Sequence, residues 1–221
     1  VIEKYAKLNS DDSVLDVGCG CGRIAAALTQ YLGGNGHYVG IDIVPGLIHF
    51  ARNFITPRYP HFNFLLLNES NKTYDSWRRT GGQTDISKLT EAVSGQSIDL
   101  AIAVSLFTHL DYAAAVTMLT SIHHALKSDG RVFMTLFVLD PDARGGIEGG
   151  RSAFSFQHRT ATGKLSAEKS DDPTFAVAYD GGLLEELISS ARFQIERRVQ
   201  GYWSNGGPGE SFQDVFILRK G

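Results

Sequence analysis

Short apolar runs alternate with helix-like stretches over the first 140 residues, the pattern expected of a mostly parallel sheet covered by helices on both faces. Ser13 to Val17 reads as the first strand, and Arg23 to Leu32, rich in Ala and Leu, as the helix after it. Gly33-Gly34-Asn35-Gly36 stops that helix. His37 to Ile43 predicts the second strand, Pro45 to Phe54 a helix with proline near its first position, and Phe62 to Leu67 the third strand. Asn68 to Ser97 is polar, contains Gly81-Gly82 and predicts one short helix from Ile86 to Val93; it is longer than the usual connection and so a candidate functional loop. Ile98 to Val104 is a continuous apolar strand, Tyr112 to Leu126 a helix with apolar residues at helical spacing, and Arg131 to Leu139 the fifth strand.

From Pro141 to Asp180 the pattern turns Gly-rich and aromatic, with Phe154-Ser155-Phe156-Gln157 alternating like a half-buried strand. This stretch is expected to be an insertion or cap, residues 141–180, that folds over the strand ends. Leu183 to Ala191 resumes as a helix, Phe193 to Gln200 as a sixth strand and Phe212 to Arg219 as a seventh. Asn205-Gly206-Gly207-Pro208-Gly209 suits an antiparallel return between those two. The expectation is one α/β domain over residues 1–221.

Composition narrows the partners. Lys and Arg number 21 against 24 Asp and Glu, a formal net charge of −3, so no positive field draws the chain to phosphate backbones and nucleic acid is not expected. No apolar run approaches the roughly 20 residues that span a bilayer, so no membrane partner is expected. The chain opens at Val1 on an amphipathic stretch, Ile2, Tyr5, Ala6 and Leu8, which differs from a signal peptide and is compatible with a trimmed N-terminus. Cys19 and Cys21, the two cysteines, sit among glycines and read as small side chains in a crowded turn; as reduced thiols they suit a cytoplasmic location. No histidine pair accompanies them at ligand spacing, so no metal is expected.

That turn carries the chemistry. Val14-Leu15-Asp16-Val17-Gly18-Cys19-Gly20-Cys21-Gly22 ends a strand and opens a helix, and glycines there let bare backbone N–H groups approach a ligand. Asp42 closes the next strand, 20 residues beyond Gly22, where a carboxylate can accept hydrogen bonds from both ribose hydroxyls of an adenosine. A nicotinamide site would want Gly-x-Gly-x-x-Gly, but Arg23 stands three residues beyond Gly20 and the third glycine comes early. Asp16 would repel a pyrophosphate yet could orient the ammonium of an amino acid. A cationic, methionine-derived ligand fits better.

The turn resembles that of class I S-adenosylmethionine-dependent methyltransferases. Gly40-Ile41-Asp42-Ile43 is similar to the family's ribose-binding segment, Ile98 to Ala103 to its fourth strand, Leu126 to Arg131 to its turn into strand five, and Phe212 to Ile217 to its final strand. The resemblance implies a Rossmann-like seven-stranded sheet, mostly parallel with an antiparallel last strand, and S-adenosylmethionine as cofactor, leaving S-adenosylhomocysteine. It implies a cofactor-binding set of Asp16, Gly18, Cys19, Gly20, Gly22, Asp42, Ile43 and Ser105, with Asn68 or Glu69, at the close of strand three, on the adenine; the family more often has Asp there. Leu106-Phe107-Thr108-His109-Leu110, Arg151-Ser152-Ala153-Phe154 and Ser211-Phe212-Gln213-Asp214 look like bacterial enzymes linked with glycan or secondary-metabolite pathways.

Methyl transfer from a sulfonium is an in-line displacement, so the protein must mainly align the partners and exclude water. An acceptor hydroxyl gains from a general base, and His109, just after strand four at the carboxyl edge of the sheet, is the candidate; packing at a helix start is the competing role. His123 and His124 read as a solvated or dipole-favoured pair late in a helix. His158, Tyr74, Tyr179, Tyr202 and Trp203 are candidates for the acceptor pocket, against the commoner role of core packing, and Asp171-Asp172 reads as a solvated turn. The expected function is methylation of oxygen or nitrogen on a small molecule, a sugar or glycan precursor by the finer likeness. The competing readings are a nicotinamide-dependent oxidoreductase and a catalytically silent methyltransferase-like binding module.

Overall fold

The computed structural model describes residues 1–67 and 97–221. Its elements in chain order are α1 (Ile2–Ala6), β1 (Ser13–Val17), α2 (Arg23–Leu28), β2 (His37–Asp42), α3 (Pro45–Phe54), β3 (Phe62–Leu66), β4 (Ile98–Ala103), a 3₁₀ turn (Phe107–His109), α4 (Tyr112–Ala125), β5 (Leu126–Leu139), α5 (Pro141–Glu148), β6 (His158–Arg159), β7 (Ser166–Ala167), β8 (Val177–Asp180), α6 (Gly181–Ser190), β9 (Phe193–Val199) and β10 (Asp214–Lys220). The expected helix over 86–93 lies outside the described residues.

Seven strands form the expected sheet. β3, β2, β1, β4 and β5 are neighbours in that order and parallel, and β10 lies antiparallel between β5 and β9. Strand order reverses between β1 and β4, so connections leave to opposite sides there and open a crevice at the carboxyl edge. Alternation within β1 assigns its side chains to two faces. Leu15 and Val17 join the core under α4 and α6 with Leu119, Ile122 and Leu187, whereas Val14 joins the core under α2 and α3 with Leu28, Ile48 and Tyr38. Asp16 has the parity of Val14 and is fully buried.

Residues 141–180 depart from the expected reading in two ways. They add three short strands, making ten in all, and β8 pairs in parallel with Phe137–Leu139 of β5, beyond the end of β4. They also hold the helix α5, which sequence reasoning did not predict. Asp140 caps it by accepting from the Ala143 N–H at 2.8 Å, with Pro141 in the first turn. The glycines that obscured it have a packing reason: a Cβ on Gly146 would stand 2.0 Å from the Ser204 carbonyl oxygen.

The alternation at Phe154–Gln157 makes no strand. Ser155 and Phe156 both donate their backbone N–H to Glu168 Oε2, at 2.7 and 2.8 Å, and Phe156 has φ of 49°. Consecutive amides aimed at one oxygen cannot serve a ladder, whose N–H groups alternate sides. Phe154 and Phe156 instead pack with Phe137 and Trp203 in a third, aromatic core. The helix α2 stops four residues early, as Thr29 turns its hydroxyl onto the Ala26 carbonyl and the chain finishes in turns.

Candidate active site

The glycine turn takes the left-handed backbone that its composition allows, with φ of 79°, 57° and 86° at Gly18, Gly20 and Gly22. Gly18 and Cys19 donate their N–H groups to the Ile41 carbonyl, at 2.8 and 3.0 Å, which ties the turn to the end of β2. At Gly22 a side chain is excluded twice over, by φ and by a Cβ position 2.5 Å from Ile55 Cδ1. At Gly20 a Cβ meets nothing within 4 Å, so that glycine faces open space.

Asp42 stands opposite. Its Oδ2 accepts from the Gly20 N–H at 2.8 Å and its Oδ1 from the Val44 N–H at 2.9 Å. Two main-chain donors fix the carboxylate, and each oxygen keeps a lone pair for a further donor. Asp16 lies deeper. Tyr38 donates its hydroxyl to Asp16 Oδ2 at 2.5 Å, while Asp16 Oδ1 is buried without a partner among the described residues. Burial raises the Asp16 pKa to about 7, the nearby Asp42 charge adds to the rise, and the Tyr38 hydrogen bond opposes it. Cys19 is buried beside both carboxylates, and burial first, then their charge, pushes its thiol far above the ordinary range, so it is a packing group and no nucleophile.

A cavity of about 330 Å³ opens at the strand-order reversal. Gly18, Gly20, Asp42 and Ile43 line it from β1 and β2, Leu67 from the end of β3, and Ser105, Leu106, His109 and Leu110 from the segment after β4, with Met118 of α4. That is the size range of small-ligand sites and the apolar lining with few polar groups that they share. A second cleft, between α1 and α2, meets it along Gly18, Gly20, Arg23 and Val104.

The residues after β4 are held by side chains far away in sequence. Ser105 is a non-glycine at φ 57°. Its N–H donates to Thr135 Oγ1 at 2.9 Å, its hydroxyl to Gln213 Oε1 at 3.0 Å, and its carbonyl accepts from Thr108 Oγ1 at 2.8 Å. His109 is half-buried, with Nδ1 at 3.0 Å from the Thr174 carbonyl oxygen. A carbonyl only accepts, so Nδ1 carries the hydrogen and Nε2 is the basic nitrogen of the neutral ring.

A family model described as a methyltransferase domain matches residues 8–174. The chain belongs to that family. The fold agrees with solved structures too distant in sequence to show more than fold. A Methanosarcina mazei S-adenosylmethionine-dependent methyltransferase shares 21% identity at a TM-score of 0.61, over 99% of this chain and 96% of that one. A Pyrococcus horikoshii protein shares 16% identity at 0.63, over 100% and 86%. The 1,6-didemethyltoxoflavin-N1-methyltransferase of Burkholderia thailandensis, solved with that substrate and S-adenosylhomocysteine, shares 17% identity at 0.60, over 99% and 74%. The sequence-based recognition of a class I S-adenosylmethionine-dependent methyltransferase is borne out.

Among the residues expected to meet the donor, this methyltransferase brings Gly18, Gly20, Asp42, Ile43 and Ser105 to one cavity wall. Gly22 and Cys19 stand behind it as packing, Asp16 lies beneath the turn, and Asn68 and Glu69 lie outside the described residues, as does Tyr74. The cradle fits an adenosyl amino acid: an open backbone at Gly20, a pinned carboxylate with spare lone pairs, and an unpartnered buried oxygen on Asp16. His109 shares the wall, but the other acceptor-pocket candidates scatter. Tyr179 is fully buried, donating to the Phe107 carbonyl at 3.0 Å, and Trp203 donates Nε1 to Asp214 at 2.9 Å, so both are structural. His123 packs edge-on against Phe193, and burial lowers its pKa, helped by Lys220. His158 lies exposed in β6.

Among the described residues no cluster of His, Cys, Asp and Glu is placed to hold a metal ion, and no helix is long and apolar enough to cross a membrane. Sequence reasoning missed Leu67, Leu110 and Met118 in the lining, which look like ordinary core leucines and methionine, and it missed the Thr135–Gln213 support of Ser105. The one available signal was position: Leu67 ends a strand, and Leu110 follows one closely.

Proposed function

We propose that this chain methylates an oxygen or nitrogen atom of a small molecule, with the donor seated between the glycine turn and Asp42 and the acceptor on the His109 side of the cavity. The observation that carries the reading is the shared wall: Gly20 and Asp42 face the same space as Ser105 and His109. Bound S-adenosylmethionine supplies an already activated methyl group. Asp42, pre-set by the Gly20 and Val44 amides, holds a pair of vicinal hydroxyls without reorganising. Gly18 and Gly20 let the main chain approach the amino-acid portion, and the Asp16 carboxylate below the turn favours its ammonium.

His109 then serves as general base. Its Nδ1–H donates to the Thr174 carbonyl, which fixes the ring plane and makes Nε2 the nitrogen that takes the proton of an acceptor hydroxyl as the new O–CH₃ bond forms. The apolar lining from Leu67, Leu110 and Met118 excludes water from the displacement. Residues 141–180 act as the acceptor-side cap of a single methyltransferase domain, and the likeness of Arg151–Phe154 and Ser211–Asp214 to glycan-associated enzymes favours a sugar or sugar-bearing acceptor.

Calorimetry with S-adenosylhomocysteine tests the donor half directly. Saturable binding that disappears in Asp42→Ala is expected; no binding by the wild-type chain would end the proposal.

A further inference from the structure

Arg23 stands just past the glycine turn, and local structure gives no reason for its charge. It is the first residue of α2, where a cation faces the positive end of the helix's peptide dipoles. No hydrogen bond or ion pair holds its guanidinium among the described residues. The side chain is exposed, but it does not lie on an outer face. Arg23 lines both the cavity of about 330 Å³ and the cleft of about 550 Å³ between α1 and α2, at the seam that the two share with Gly18, Gly20 and Val104.

The charges around that seam are otherwise acidic. Asp42 is pinned in the cavity by the Gly20 and Val44 amides, and Asp16 lies beneath the turn. Glu3, the acid of the cleft, serves Tyr31, whose hydroxyl it holds above the usual pKa by a hydrogen bond and then by its charge. Among the described residues, Arg23 is the one Lys or Arg side chain on either wall. S-adenosylmethionine, seated as proposed above, carries a sulfonium, an ammonium and a carboxylate beyond its ribose. The acids suit the first two. The carboxylate meets only repulsion from them and needs a cation, and a guanidinium matches its two oxygens in shape as well as charge.

We propose that Arg23 clamps the donor's carboxylate: the amino-acid end passes over Gly18 and Gly20 to the seam and pairs there with the guanidinium. This rests on the proposed function for the direction of the donor, with its ribose at Asp42 and its amino acid at the glycine turn. The site then reads both ends of one molecule, the ribose hydroxyls by an acid and the carboxylate by a base. A nucleoside that keeps the adenosine but lacks the carboxylate satisfies only the Asp42 half, so Arg23 sets the preference for the complete donor.

Calorimetry on the full chain tests the clamp with two ligands, S-adenosylhomocysteine and its decarboxylated form, which keeps the adenosine, the sulfur and the ammonium. Wild type should bind the decarboxylated ligand about tenfold or more weakly, the effect of losing a charge-assisted hydrogen bond. Arg23→Gln should weaken S-adenosylhomocysteine to the same extent and leave the decarboxylated ligand within about twofold. Arg23→Lys, which keeps the charge without the fork, should recover part of the loss, and it decides the matter if Arg23→Gln does not fold, by weakening S-adenosylhomocysteine alone. A merely structural role would weaken both ligands together. That result, an unchanged S-adenosylhomocysteine affinity in the variants, or equal affinity of wild type for the two ligands overturns the clamp and leaves the proposed function standing; binding of neither ligand by wild type overturns that function itself.

Discussion

On the β1–β2 side of the crevice, the polar contacts run from the main-chain amides of Gly20 and Val44 onto the Asp42 carboxylate, all within 24 residues of sequence. On the β5–β10 side, they run between side chains 78 and 108 residues apart, Thr135 to Gln213 and Ser105 to Gln213. The first arrangement uses groups that every residue has, so its sequence requirements reduce to glycine where the backbone must bend and one acid at a strand end. The second uses chosen side chains from three segments of the chain. A methyl donor common to a whole family fits the first kind of site, and acceptors that differ between members fit the second.

Substitutions on the two sides should therefore fail differently. The largest effect is expected at His109: His109→Ala should lower turnover by about 10²–10⁴, the usual range for a general base, with S-adenosylhomocysteine affinity nearly unchanged by calorimetry. Turnover at the wild-type rate would remove the assignment. Next is Asp42→Ala, which takes away the acceptor of two backbone amides and of the donor's hydroxyls together. A loss of about 100-fold or more in S-adenosylhomocysteine affinity is expected, at roughly 1.5–3 kcal/mol for each hydrogen bond to a charged group.

Gly22→Ala should act through folding. Its Cβ collides with Ile55 at a positive φ, so a loss of about 1–3 kcal/mol is expected, or roughly 2–12 °C in Tm by calorimetric scan. Gly20→Ala, with open space around its Cβ, should cost less stability than Gly22→Ala and more donor affinity. The reverse order would mean that the open face of Gly20 is not where the donor lies.

Asp16 adds a pH dependence. Asp16 is pushed up to about 7 in the folded chain from 3.8, so between those values the native state holds a proton that the unfolded state has released. Stability from this group is present in full below about pH 3.8 and is lost as pH rises through about 7. The Tm difference between wild type and Asp16→Asn should thus shift against the wild type from pH 5 to pH 8 and level off above. A flat difference would show that Asp16 is ionised in the native state throughout.

The same contrast explains what could be read from the sequence. The boundaries of β1, β2 and β3 and the pairing of Gly20 with Asp42 follow from local pattern, because apolar runs, glycines and one acid at fixed spacing determine them. β5, β9 and β10 were legible as strands for the same reason, whereas the short β6, β7 and β8 were not. The helix α5 was not, although Asp140-Pro141 marked its start, because Gly145-Gly146 read as loop; the need for glycine lay in Ser204, across the fold. Phe154–Gln157 misled by its alternation, and only Glu168, twelve residues on, explains why the chain bends there. His109 could be placed by its distance from β4, but the tie between Ser105 and Gln213 has no local signature at all.

Asp214, buried at the root of the 200–213 segment, collects the Val138, Gly201 and Trp203 N–H groups on its two oxygens. One carboxylate thereby rivets this segment to β5, while Gly206 and Gly207, both at positive φ, tie its outer bend to glycine. The anchor at Asp214 fixes where the segment leaves the sheet, and the two glycines fix how it turns back.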